Sequence, residues 1–236
     1  MDSSGELVQL KLGLLDTAAP MSSAIVYGDV YRVDGAYTVA TLERGSNRSL
    51  LVDTLETPAW LHHRLKHPQI DFLKGDFGDP LLMGSIRDEF DVGVVFDILL
   101  HQPPLLHTLH LMLSKVTRAI CIAQPCLKEG AWKNQLVYLP GSGDAELYPL
   151  NASSPEYRVF DVNQVNHSHW IWAMTSSFLR SALAGEGFEI REEKTLEHPM
   201  LTKHWVWKGF VAERVRANES HWSNQRATPG LHTASW

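Results

Sequence analysis

The sequence predicts an α/β fold: a doubly wound, mostly parallel sheet of seven strands that closes with an antiparallel terminal hairpin. Three observations predict it. Short apolar runs alternate with helix-like stretches from Ala24 to Gln124. Two of those runs, Leu50–Val52 and Val92–Phe96, are unbroken, as suits strands buried on both faces, and an aspartate follows each at once. Two last runs, Phe188–Glu193 and His204–Glu213, lie close together with no helix signal between them, the spacing of a hairpin.

Taken in order, Glu6–Leu15 reads as a short helix and Ser23–Tyr27 as the first core strand. Asp29–Gly35 is a loop with glycine at each edge, and Ala36–Arg44 a helix stopped by Gly45-Ser46-Asn47. The second strand is Ser49–Thr54. Pro58, suited to the first helical position, then opens a helix to His67. Ile70–Lys74 is the third strand and Leu81–Asp88 a short helix. Phe90–Asp97 is the fourth strand and Leu105–Lys115 the next helix. Arg118–Gln124 is a fifth strand, closed by Pro125. Residues 128–174 carry little periodicity, and so long a stretch in a compact domain suggests a functional cover. Thr175 or Ser176 caps a helix, Ser177–Ala184, ending at Gly185-Glu186-Gly187. One domain, 1–213, is expected, with 128–174 as an insertion over the substrate and 214–236 as a flexible tail.

Composition excludes several classes. Of 236 residues, 44% are hydrophobic and 20% charged, ordinary for a globular protein. The formal net charge of -6 offers no basic stripe for nucleic-acid phosphates. No apolar run reaches the roughly 18 residues a membrane span needs, and the first residues lack the positive region of a signal peptide. A cytoplasmic protein is expected. Cys121 and Cys126 cannot build a disulfide framework or a four-ligand zinc site. His63 and His67 share a helix face but lack an acidic third ligand, so polar helix surface is the better reading and no metal is expected. Phosphate-loop, zincin and serine-hydrolase motifs do not occur.

The stretch Ser49–Leu55 sets the functional reading. Asp53 closes a buried strand, at the edge where open α/β sheets bind ligands. Its carboxylate can accept hydrogen bonds from two ribose hydroxyls, which proposes a nucleoside site whose aspartate the fold would barely miss; the alternatives are a solvated strand-end aspartate, or one that caps the turn before Pro58 and whose loss lowers the melting temperature without touching ligand affinity. Asp71 and Asp91, at strand entries, read as solvated, and Trp205 and Trp207, sharing one strand face, as core or interface.

The order of elements from about Ser22 to Glu213 resembles the class I (Rossmann-like) S-adenosylmethionine-dependent methyltransferases. The resemblance is carried by Asp53 after the second strand, Gly75-Asp76-Phe77 after the third, Phe90–His101 for the fourth, and Leu183–Ile190 for the last helix-to-strand junction. It implies that Asp53, with Thr54 beside it, holds the ribose hydroxyls of the cofactor. Asp76 and Phe77 would contact the adenine, and Asp97, Ile98 and His101 would line the methyl-transfer side. The family's tight glycine turn is replaced here by Gly28-Asp29-Val30-Tyr31-Arg32-Val33-Asp34-Gly35, so Gly28, Asp29 and Gly35 would form an altered loop. A histidine near the acceptor can take or orient its proton, and position selects His101, His167 and His169 from 12 histidines. Trp170 and Trp172 would wall the acceptor, ordinary core packing being the alternative.

The resemblance thus implies a methyltransferase using S-adenosylmethionine on a small-molecule acceptor, by O- or N-methylation. No nucleic acid or membrane is expected as a partner, and a homodimer is left open. A binding or scaffold module that kept the sheet and lost the glycine turn is the runner-up. A nicotinamide-dependent oxidoreductase is disfavoured by the same missing glycines.

Overall fold

The computed structural model describes residues 5–31, 33–130, 133–138, 172–199 and 201–215. Helix α1 (Gly5–Ala18) precedes strand β1 (Ser23–Tyr27), and the alternation continues with α2 (Ala36–Glu43), β2 (Arg48–Asp53), α3 (Pro58–Lys66), β3 (Ile70–Lys74) and α4 (Pro80–Ser85). Strand β4 (Phe90–Phe96) runs into a 3-10 turn, Leu99–His101, followed by α5 (Leu105–Leu113) and β5 (Val116–Leu127). After β6 (Leu136–Tyr138) and β7 (Trp172–Met174) come α6 (Ser176–Gly185), β8 (Phe188–Leu196) and β9 (Trp205–Arg214).

Seven strands form one sheet in the order β3-β2-β1-β4-β5-β9-β8. The pairs among β1 to β5 are parallel, while β9 is antiparallel to both β5 and β8. The doubly wound sheet and its terminal hairpin are therefore as the sequence predicts. Parallel strands need helices on both faces, and the period-2 alternation of side chains supplies two cores. In β1, Ile25 and Tyr27 join Leu105, Leu109, Met112 and Leu179 from α5 and α6. Ala24 and Val26 join Leu14, Leu15, Tyr37 and Trp60 from α1, α2 and α3 on the other side. The core reading of Trp205 and Trp207 holds, since both are buried.

Local chemistry sets the element ends. Pro58 opens α3 behind Thr57, whose hydroxyl accepts the Trp60 N–H at 3.1 Å. Asp79 caps α4 in the same way, accepting from Leu81 N–H, and Thr175 caps α6 through Phe178 N–H.

Several expectations need correction. Pro125 does not close β5; the strand runs on to Leu127, with Pro125 opposite Trp207. Pairing with β4 stops at Ala123, so β5 is an edge on that side by Pro125, and a missing N–H is tolerated there. Asp91 is not solvated: it accepts Arg118 Nε at 2.8 Å, Arg118 Nη2 at 3.0 Å and Ser22 N–H at 3.0 Å. Burial pushes its carboxyl up, but those bonds outweigh it and hold the pKa below the ordinary value. Arg214 belongs to β9 rather than to a tail, donating to the carbonyls of Leu113 and Val116. Part of the 128–174 stretch is regular, β6 and β7 pairing antiparallel; residues 139–171, and 216–236 of the expected tail, lie outside the described residues. Cys121 and Cys126, an odd number apart, face opposite cores as free thiols pushed up to about 12 by burial. Among the described residues no helix is long and apolar enough to cross a membrane.

Candidate functional site

The carboxyl ends of β1, β2, β3 and β4 bring Gly28, Asp29, Asp53, Thr54, Asp76, Phe77, Asp97, Ile98 and His101 to one edge of the sheet. Strand order reverses between β1 and β4, the switch point where open sheets leave a crevice.

The first loop is built by carboxylates instead of a run of glycines. Gly28, at φ 68°, donates to Val52 O, and Gly35, at φ 81°, to Asp29 O at 2.7 Å. The Asp29 carboxylate turns under the loop and caps α2, its Oδ2 accepting both Thr38 N–H at 2.6 Å and Thr38 Oγ1 at 2.7 Å. Gly35, the residue before α2, has no side chain to do this. Its Cα is pressed against Trp60, where a Cβ would lie 2.3 Å from the ring. Asp34 accepts from Thr57 Oγ1 at 2.6 Å and so joins the loop to the cap of α3. Gly28 and Gly35 therefore serve close packing and left-handed backbone, the roles glycine alone fills.

Asp53 is buried rather than exposed, and its Oδ2 accepts Val30 N–H while Oδ1 accepts Leu55 N–H, both at 2.8 Å. It ties together the loops after β1 and β2. Thr54 beside it is exposed. Asp29 is also buried, and its Oδ1 has no hydrogen-bond partner among the described residues. Burial, assisted by the nearby Asp53 charge, raises its pKa to about 7 against the opposing bonds from Thr38 and the Lys11 charge.

Beyond β3, Asp76 is exposed and accepts Gly78 N–H at 2.8 Å through Oδ1. Phe77 turns inward, edge-on to Tyr27 with ring centroids 5.9 Å apart. Beyond β4, Asp97 adopts φ 61°, a conformation sparsely populated outside glycine and enriched at functional sites. Ile98 lies over Gly28, where a Cβ would be 2.2 Å from Ile98 Cδ1. His101 ends the 3-10 turn, half-buried. Trp172 donates from Nε1 to Gln102 O at 2.8 Å and meets Tyr138 edge-on, which ties β7 to the turn after β4. His167, His169 and Trp170 lie outside the described residues.

One residue at this edge escaped the sequence reading. Lys11 of α1 is 2% exposed and reaches Asp97 Oδ2 at 2.7 Å. Its ammonium lies 5.2 Å from the Tyr37 ring centroid, 5.5 Å from that of Trp207 and 5.9 Å from that of Phe96. The signal was in the helix period: Leu7, Leu10, Leu14, Leu15 and Ala18 form the apolar stripe of α1, and Lys11 falls inside it. Among the described residues no group of three or more His, Cys, Asp or Glu is placed to hold a metal ion.

No protein-family model matches this sequence, and no curated protein matches it. Solved structures do. The 1,6-didemethyltoxoflavin-N1-methyltransferase of Burkholderia thailandensis, bound to 1,6-didemethyltoxoflavin and S-adenosylhomocysteine, superposes with a TM-score of 0.60 over 91% of this chain and 80% of its own, at 14% identity. This chain has the class I methyltransferase fold. The magnesium protoporphyrin IX methyltransferase of Synechocystis PCC 6803, with bound S-adenosylhomocysteine, has a TM-score of 0.54 over 89% of this chain and 84% of its own, at 11% identity. The [4+2]-cyclase SpnF has a TM-score of 0.58 over 86% and 80%, at 9% identity. A methyltransferase fold thus carries a differently named activity, so the fold alone does not fix the reaction.

Proposed function

We propose that the chain is an S-adenosylmethionine-dependent methyltransferase acting on a small-molecule acceptor at oxygen or nitrogen. The observation that carries this reading is the row of carboxylates, Asp76, Asp53 and Asp97, at the ends of β3, β2 and β4, with Gly28 at the end of β1 between the last two and the switch point beside it. Ionised carboxylates only accept hydrogen bonds, and three of them on one crevice suit a ligand with a vicinal diol, an exocyclic amine and a cationic centre. That donor set is the cofactor's.

The roles follow from position. Asp53, at the carboxyl end of β2 and held by the N–H groups of Val30 and Leu55, accepts the ribose hydroxyls, with Thr54 alongside. Asp76 accepts the adenine amine, and Phe77, backed by Tyr27, gives an apolar floor. Gly28, Asp29 and Gly35 hold the loop that faces the amino-acid end. Asp97 and Ile98 line the transfer side. When bound, the cofactor supplies an electrophilic methyl group on a sulfonium, whose departure needs no proton. His101 takes or orients the acceptor's proton, and Trp172 walls the acceptor. His167 and His169, with Trp170, keep the acceptor roles that the sequence reading gives them.

A second reading, a binding module without catalysis, is favoured by Ile98 covering Gly28, where the cofactor's amino-acid end would pass. Titration calorimetry with S-adenosylhomocysteine separates the two. Saturable binding is expected; no heat at millimolar ligand would leave the module reading. The acceptor class is then found by screening metabolite pools for methyl transfer.

A further inference from the structure

We infer that Lys11 sets the charge of the crevice, so that it governs how strongly the site prefers a cationic ligand over its neutral counterpart. The inference rests on the cofactor reading above and concerns a residue outside the strand ends that carry it. A lysine at 2% exposure is uncommon, because losing its hydration is costly. Here the cost is offset by Asp97 at 2.7 Å and by the faces of Tyr37, Trp207 and Phe96. Four elements, α1, α2, β4 and β9, contribute to this one enclosure. The side chain of Asp97 is 37% exposed, whereas Lys11 behind it is enclosed. A ligand at these strand ends therefore comes up against the Asp97 side chain, whose Oδ1 is itself buried, and feels the carboxylate and the ammonium behind it together.

The consequence is electrostatic. Alone, Asp97 would attract a sulfonium strongly; with Lys11 attached, the pair is close to neutral. Asp53 and Asp76 also lie at this edge, and Lys11 acts on Asp29 as well. The methyl donor carries a sulfonium, whereas the product left after transfer has a neutral thioether. A site with too much negative charge would hold the donor far more tightly than the product; one with too little would be blocked by product. Lys11 fixes the balance between them.

The test is the ratio of S-adenosylmethionine affinity to S-adenosylhomocysteine affinity, measured by calorimetry on the full chain. Lys11→Met keeps the length and the apolar packing in the stripe while removing the charge, and should raise that ratio about tenfold. Asp97→Asn should lower it about tenfold, and the double variant should return close to the wild-type ratio. If Lys11 were only a tie between α1 and the sheet, the melting temperature would move and the ratio would not. An unchanged ratio in Lys11→Met and Asp97→Asn, with S-adenosylhomocysteine still bound, overturns this inference and leaves the cofactor reading standing. Failure of the wild-type protein to bind either compound overturns both.

Discussion

Two pairs of aspartates occupy the same sheet edge and are used differently. Asp29 and Asp53, at the ends of β1 and β2, are buried, Asp29 holding the N–H and hydroxyl of Thr38 through Oδ2 and Asp53 the N–H groups of Val30 and Leu55. Asp76 and Asp97, after β3 and β4, reach solvent, the first exposed and the second in part. The residue type and the topological position are the same. The difference lies in which N–H groups the following loop brings within reach. A first loop without the usual glycines needs other anchors, and the two aspartates next to it supply them.

The comparison can be broken first through pH. Asp29 has a pKa near 7 in the folded protein, raised mainly by burial, against an ordinary value near 3.8. The folded state therefore binds this proton more tightly than the unfolded chain. Its contribution to stability is fully present below about pH 4 and is lost as pH rises through 7, on the order of 4 kcal/mol at most. Asp91, Glu129, Glu192 and Glu193 have lowered pKa values, so their contributions fall away below the ordinary carboxylate range, outside this window. Urea melts between pH 5 and 8 should show wild-type stability declining with pH and Asp29→Asn, though less stable at acid pH, nearly level. Equal slopes in the two proteins would mean that Asp29 is ionised throughout.

Asp53→Ala comes next. It strands the N–H groups of Val30 and Leu55, and a loss of roughly 2–4 kcal/mol is expected, together with weaker S-adenosylhomocysteine binding. This reverses the expectation for an exposed strand-end carboxylate. A melting temperature within about 2 °C of wild type would show that water replaces the carboxylate at no cost.

The smallest effect on stability belongs to Asp76→Ala, within about 0.5 kcal/mol, because the residue is exposed and its one bond closes a local turn. Ligand affinity should nevertheless drop about tenfold, the worth of one charge-assisted hydrogen bond. A stability loss as large as that of Asp53→Ala would erase the distinction between the two pairs.

The contrast also marks how far the sequence can be read. The strands Ser23–Tyr27 and Ile70–Lys74 emerge with the boundaries predicted for them, since unbroken or alternating apolar runs bounded by turn residues have few alternatives. The helix start at Pro58 and the cap at Thr175 were legible for the same local reasons. What was not legible depended on partners distant in sequence. Pro125 is admitted to β5 only because β4 has already ended beside it. Asp91 looked like surface until Arg118, 27 residues later, was seen to clasp it. Whether Asp53 is exposed depends on Val30, which lies on another strand's loop. Lys11 was the exception, since its place in an apolar stripe was visible in the sequence and its counterion was not.

The position of β9 has a consequence for synthesis. Among the described strands this one is made last, yet it lies between β5 and β8 rather than at the sheet's margin. Until it emerges from the ribosome, β5 offers neighbouring chains a long apolar ladder, from Ala119 to Leu127, with one side unpaired. The half of the molecule that carries the aspartate edge can assemble while this seam stands open. A premature stop between Leu127 and Trp205 would release a chain whose crevice strands are complete and whose surface invites aggregation.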